Sequence, residues 1–114
     1  MPPREWKLRV EDILEAIGRI EGYVADLDYV RFAHDRRTVD AVVRNFGVIG
    51  EAARHVPTEV QARYPEIPWL DMRAMRNFVV HEYFGVSDRI LWDTACSDLP
   101  PLIQQLQRML EPES

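Results

Sequence analysis

Seven apolar residues near the start of the chain, Trp6, Val10, Ile13, Ile17, Ile20, Val24 and Leu27, are separated by 4, 3, 4, 3, 4 and 3 positions. At about 100° per residue this spacing keeps all seven on one stripe of an α-helix, close to a heptad seam, and a strand has no use for it. It predicts a long helix over residues 5–29 whose stripe other helices must cover. Val42, Phe46, Ile49, Ala53 and Val56 repeat the spacing and predict a second helix over 38–56. Between the two, residues 31–37 read as a polar connection, with Asp35 and Thr38 available at the next N-terminus. Gly47 and Gly50 each lower the propensity of the second helix by about 1 kcal/mol relative to Ala, and close approach of another helix explains their presence.

Proline punctuates the middle of the chain. Pro57 ends the second helix, and Pro57, Pro65 and Pro68 leave room for one short helix over 58–64. Trp69 and Leu70 are expected to anchor the start of a third long helix over 70–84, which Gly85 can cap before Ser87 opens the next. The last pattern runs through Ile90, Leu91, Thr94 and Ala95, then Leu99, Leu102, Ile103, Leu106 and Leu110. Pro100 and Pro101 must kink or restart it, with Asp98 as the expected cap of the new turn. No strand alternation, hairpin signal or repeat appears. The expectation is an all-α antiparallel bundle of about four to five helices, a single domain over 1–114. A bundle of this size buries more apolar surface by pairing with a second copy, so a homodimer is expected.

Composition narrows the function classes. With 46% hydrophobic and 29% charged residues the chain is globular rather than disordered. No apolar run approaches a membrane span, and Met-Pro-Pro-Arg-Glu at the start lacks the apolar core of a signal peptide, so no membrane association is expected. The one cysteine, Cys96, rules out an internal disulfide framework, points to a reducing cytoplasm, and is expected to be a small packed side chain. A net charge of −5 argues against bulk electrostatic binding of nucleic acid but leaves room for a local site. Arg31, Arg36, Arg37, Arg73 and Arg76 are candidates for such a basic strip. His34, His55 and His81 have no metal-ligand spacing, and no glycine-rich phosphate loop occurs, so neither metal nor cofactor is expected.

The richest chemistry sits in residues 76–83, Arg-Asn-Phe-Val-Val-His-Glu-Tyr. Arg76 can hold a phosphate through two parallel hydrogen bonds at any working pH. His81 can give or take a proton near neutrality, and Tyr83 carries a hydroxyl that donates, accepts or is modified. On an ideal helix Arg73, Arg76, Asn77, His81 and Tyr83 share an arc of about 160°, with Val80 and Phe84 also in it, while Ala74, Met75, Phe78 and Val79 face inward and Glu82 points toward that apolar side. Arg76 and His81 are themselves about 140° apart, so the Arg side chain reaches round, the helix distorts, or a second subunit completes the site. An Arg five residues before a His is a loose signal in a chain this rich in Arg. Spacing also leaves open the roles of Asn45 and Glu51.

Taken with its surroundings the motif becomes specific. Arg76-Asn77-x-x-x-His81-x-Tyr83, followed by Gly85-Val86-Ser87 and Ile90-Leu91-Trp92, resembles the HepT-like branch of the HEPN superfamily. Asn45-Phe46-x-Val48-Ile49-Gly50-Glu51-Ala52, Pro68-Trp69 and Leu99-Pro100-x-Leu102 extend the resemblance over most of the chain in the expected order. The resemblance implies a HEPN-like homodimer acting as the toxin of a type II-like toxin–antitoxin module, neutralised by a minimal nucleotidyltransferase antitoxin. It implies a metal-independent endoribonuclease whose two motif copies face one cleft across the dimer axis. It also makes Tyr83 a target for adenylylation by the partner, which would set a phosphate beside Arg76 and oppose RNA binding.

Each residue then has an expected role. Arg76 and His81 are the catalytic candidates, His81 as general base or acid and Arg76 as stabiliser of charge on the phosphate oxygens. Arg73, Asn77 and Tyr83 are the candidates for binding substrate. Attack by a ribose 2′-hydroxyl would leave a 2′,3′-cyclic phosphate and leave DNA intact. The competing expectation is a helical dimer without catalysis that grips RNA, a nucleotide or a partner nucleotidyltransferase.

Overall fold

In the computed structural model, which describes residues 3–78 and 87–112, every regular element among the described residues is helical. Helix α1 (Pro3–Val24) carries the heptad-like stripe: Trp6, Val10, Ile13, Ile17, Ile20 and Val24 are buried, and Leu27 packs beyond its end, partly buried. The helix stops five residues earlier than its spacing predicts. Asp28 interrupts it, accepting a hydrogen bond from the Arg31 amide at 2.8 Å and starting a short helix α2 (Tyr29–His34). Residues 31–34 are therefore helical rather than an open connection, because an Asp cap here competes with continuation of α1. Phe32 of α2 is fully buried and meets Trp92 with ring centroids 5.2 Å apart.

Helix α3 (Arg36–Arg54) is the second long element. Asp35 caps it as expected, accepting from the Thr38 amide at 3.1 Å and the Thr38 hydroxyl at 2.7 Å. Val42, Phe46, Ile49, Ala53 and Val56 are all buried. Among the described elements its contacts with α1 are the most extensive, and the two run antiparallel. Arg19 and Tyr23 near the end of α1 share a surface depression with Asp40 and Arg44 near the start of α3, whereas Glu5, Leu8 and Arg9 lie beside His55. Asn45, buried in this helix, spends its side-chain N–H on the Ala41 carbonyl at 2.9 Å.

Helix α4 (Thr58–Arg63) fills the expected short segment, and α5 (Trp69–Ala74) comes next. Trp69 anchors α5: it is buried and donates from Nε1 to the Tyr64 carbonyl at 3.1 Å. Leu70 does not share the task, since it is 76% exposed. The third long helix is also not continuous. After Ala74 the chain turns at Met75–Arg76, where Met75, Arg76 and Phe78 bond to carbonyls three residues back, before residues 77–78 are helical again. Such i→i−3 bonds tighten the winding, so the angular arc built on 100° per residue does not carry across Arg76. Met75 is buried and Phe78 packs on Phe46 at 5.2 Å between centroids, as expected, but Ala74 is exposed.

Ser87 caps α6 (Asp88–Asp93), accepting from the Arg89 amide at 3.1 Å. A π-helical segment, Thr94–Asp98, continues it, and α7 (Leu102–Met109) closes the described chain. Leu91, Ala95 and Leu99 take the inward stripe, so Cys96, one residue round from Ala95, is exposed rather than packed. Partial burial, with the Asp93 carboxylate, pushes its thiol pKa up, which disfavours a reactive thiolate. Asp98 does not cap α7. Pro100 and Pro101 have no N–H to offer it, and the next amide, Leu102, already bonds to the Leu99 carbonyl at 2.9 Å.

Candidate functional site

Gly50 decides how α5 meets α3. A β-carbon there would lie 2.6 Å from Arg76 Cγ, 2.7 Å from the Arg76 amide nitrogen and 3.1 Å from the Arg73 carbonyl oxygen. Only a glycine lets the turn at 75–76 seat this closely on α3. The contact brings Arg76 beside Glu51, the next residue of α3, with Arg76 Nε 3.4 Å from Glu51 Oε2. On its other oxygen Glu51 takes a hydrogen bond from His55 Nε2 at 3.0 Å and lies 3.7 Å from Arg54 Nη1. The His55 bond, and then the charges of Arg76 and Arg54, hold the Glu51 carboxyl below its ordinary pKa despite some desolvation.

Glu51 thus draws Arg76 toward α3 through a half-exposed ion pair. The contact uses Nε, and a guanidinium paired through Nε keeps its terminal N–H donors for other acceptors. About half of the Arg76 side chain remains exposed, so a large substrate can reach it. Arg73, Arg76 and Asn77 all line one shallow depression of ≈ 350 Å³, together with Arg54, Leu70 and Ala74. Three of the five expected site residues therefore come together. The other two, His81 and Tyr83, lie outside the described residues.

The expected basic strip breaks in two. Arg36 and Arg37 start α3, and Arg36 pairs with Asp88 at 3.0 Å. Fourteen residues of helix separate Arg36 from Gly50, or about 21 Å at 1.5 Å per residue, so Arg36 and Arg37 stand far from the Arg76 depression. Arg54 takes their place beside Arg73 and Arg76. The sequence carried a partial sign of this: Glu51, Arg54 and His55 have the i, i+3, i+4 spacing of one helix face. It carried no sign that this face meets Arg76.

Among the described residues no three His, Cys, Asp or Glu side chains gather as a metal site would require. No described helix is long and apolar enough to cross a membrane.

Comparison with known proteins adds a family assignment. The model of the family described as "Ribonuclease HepT-like" matches residues 13–109. A Thermococcus cleftensis protein named "Probable ribonuclease HepT" is 39% identical over 106 residues, covering 93% of this chain and 96% of that one. A Methanocaldococcus jannaschii protein named "Putative RNase MJ0127" is 32% identical over 111 residues, covering 97% and 92% respectively. A Caldanaerobacter subterraneus protein named "Putative RNase TTE0752" is 33% identical over 104 residues, covering 91% and 93%. No solved structure matches.

Proposed function

This chain belongs to the ribonuclease HepT-like family, and from that premise we propose that it is an endoribonuclease, the toxin of a toxin–antitoxin module. The observation that carries the reading is the Arg76 guanidinium: paired through Nε with Glu51 at 3.4 Å, half-exposed, and lining one depression with Arg73 and Asn77. An accessible cation that keeps its terminal N–H donors is what stabilising charge on a phosphodiester requires.

In the proposed reaction the ribose 2′-hydroxyl attacks the adjacent phosphorus and the 5′-oxygen of the next nucleotide leaves. The products are a 2′,3′-cyclic phosphate and a free 5′-hydroxyl. His81 removes the 2′ proton or supplies one to the leaving oxygen. Arg76 neutralises the non-bridging oxygens as their charge grows. Asn77 orients the phosphate or His81, and Tyr83 positions RNA. No step needs a metal ion. Two copies pair so that their motif helices face one cleft. A minimal nucleotidyltransferase partner neutralises the toxin: the Tyr83 hydroxyl attacks the α-phosphorus of ATP, pyrophosphate leaves, and the nucleotide bulk and negative charge of the added AMP occupy the cleft.

The test is an RNA cleavage time course in excess chelator, with wild type, His81→Ala and a DNA strand of the same sequence. Cleavage of RNA alone, ending in cyclic phosphate and lost in His81→Ala, is the expected result. Equal cleavage of DNA would sink the 2′-hydroxyl mechanism, and RNA binding without turnover would favour a non-catalytic binding module. For the partner, incubation with the nucleotidyltransferase and ATP should add one AMP mass to wild type and none to Tyr83→Phe.

A further inference from the structure

The α3–α5 depression contains more cation than one scissile phosphate needs. Arg54, Arg73 and Arg76 all line it, and Glu51, outside the lining, pairs with Arg54 and Arg76. That local excess of positive charge lies on a chain whose net charge is −5. Arg54 and Arg76 come from different elements and approach opposite oxygens of Glu51, at 3.7 and 3.4 Å. Glu51 is thus a spacer that holds two guanidiniums side by side while each keeps donors to spare. The Arg73 side chain makes no ion pair or hydrogen bond among the described residues, and Leu70 stands exposed at the rim as an apolar wall.

The geometry points to a second phosphate subsite for single-stranded RNA in this depression, with Arg54 of α3 as a substrate-binding residue of the enzyme. The inference rests on the ribonuclease reading above. Arg76 serves the phosphate undergoing cleavage, while Arg54 and Arg73 take the phosphate of a neighbouring nucleotide. Leu70 offers an apolar surface to that nucleotide's sugar or base. The strand then runs from the motif turn across the end of α3. A subsite one phosphate away adds affinity and register without entering the reaction, so its loss falls on KM.

The test measures binding of a fully 2′-O-methylated single-stranded RNA, which cannot supply the attacking hydroxyl, across a potassium chloride series. Wild type, Arg54→Ala, Arg54→Lys and Arg108→Ala are compared, the last removing one charge from α7, away from the depression. Each single-strand phosphate contact contributes about 0.7 to the slope of log affinity against log salt. Arg54→Ala should therefore lower that slope by about 0.7 and raise Kd several-fold, with KM for cleavable RNA rising by the same factor. Arg54→Lys should keep the slope, and Arg108→Ala should match wild type. Because Arg54 is half-exposed at the end of α3, all variants should melt within a few degrees of wild type, which a thermal scan checks. If wild type binds and cleaves RNA but Arg54→Ala changes neither slope nor KM, the subsite is wrong and the ribonuclease reading survives. An Arg108→Ala loss equal to that of Arg54→Ala would also overturn it, as a bulk charge effect. Wild type that neither binds nor cleaves RNA would overturn both.

Discussion

Replacing Gly50 by Ala tests the contact on which the site depends, and Gly18→Ala supplies its control. Both glycines lie in long helices, and Ala is favoured over Gly in a helix interior by about 0.5–1 kcal/mol. At Gly18 a β-carbon meets nothing within 4 Å, so the full gain should appear. For a domain of this size about 1 kcal/mol shifts Tm by roughly 4 °C, so Gly18→Ala should melt about 2–4 °C higher. At Gly50 the same atom would sit 2.7 Å from the Arg76 amide nitrogen and must open to about 3.4 Å for ordinary contact. The Arg76 side chain can rotate away, but the amide and the Arg73 carbonyl belong to the backbone, so the turn after α5 has to move. Overpacking of that kind costs about 1–3 kcal/mol, and main-chain obstacles place this case near the top. Net of the propensity gain, Gly50→Ala should be destabilised by about 2 kcal/mol and melt about 8 °C lower. The displaced turn carries Arg76 with it, and misplacement approaching 1 Å should slow cleavage on the order of 10- to 100-fold. Differential scanning fluorimetry and the cleavage assay read the two effects. Equal Tm gains for Gly18→Ala and Gly50→Ala would refute the close seating of the turn on α3.

Phe32→Ala should destabilise by about 3–5 kcal/mol, measured by urea unfolding, because the fully buried ring and its contact with Trp92 tie α2 to α6. A loss under about 1 kcal/mol would mean that α2 is not part of the core. Glu51 and Asp35 both have carboxyl pKa values lowered on folding, so each stabilises the fold above its unfolded value and loses that stabilisation as pH falls through the lowered folded value. Tm should therefore fall on the acid side of their ordinary values of 4.5 and 3.8, and the Glu51→Gln/Asp35→Asn double variant should show a flatter acid limb. An unchanged limb would refute the assignment. Arg76→Lys keeps the charge but loses the planar fork, and should lower kcat by about 10²–10³-fold with little change in Tm. Near-wild-type turnover would show that Arg76 acts only as a point charge.

Much of the fold is legible in the sequence because its signals are local. The 4-3 spacing of Trp6 to Val24 and of Val42 to Val56 states which side of each helix is apolar, whatever covers it. Asp35 and Ser87 cap helices within three residues of themselves, as their positions foretell. Two of the departures share a cause. The long helices expected across Asp28 and across Arg76 assume that each continues at a uniform pitch, whereas Leu70, Cys96 and Asp98 depart for local reasons of side-chain direction and of the paired prolines. The Asp28 cap ends the first of these helices early, and the tightened turn at 75–76 breaks the other.

From its sequence alone the protein is an all-helical member of a ribonuclease family with Arg76, Asn77 and Arg73 as neighbours, since periodicity, caps and motif spacing all act over a few residues. Only the tertiary structure decided that the carboxylate paired with Arg76 is Glu51, that Arg54 rather than Arg36 or Arg37 shares its depression, and that Gly50 is the point of closest approach. Those facts depend on which turn of α3 receives the end of α5. That docking is set by side-chain volume and loop geometry between residues far apart in the chain, about which helical phase contains no information.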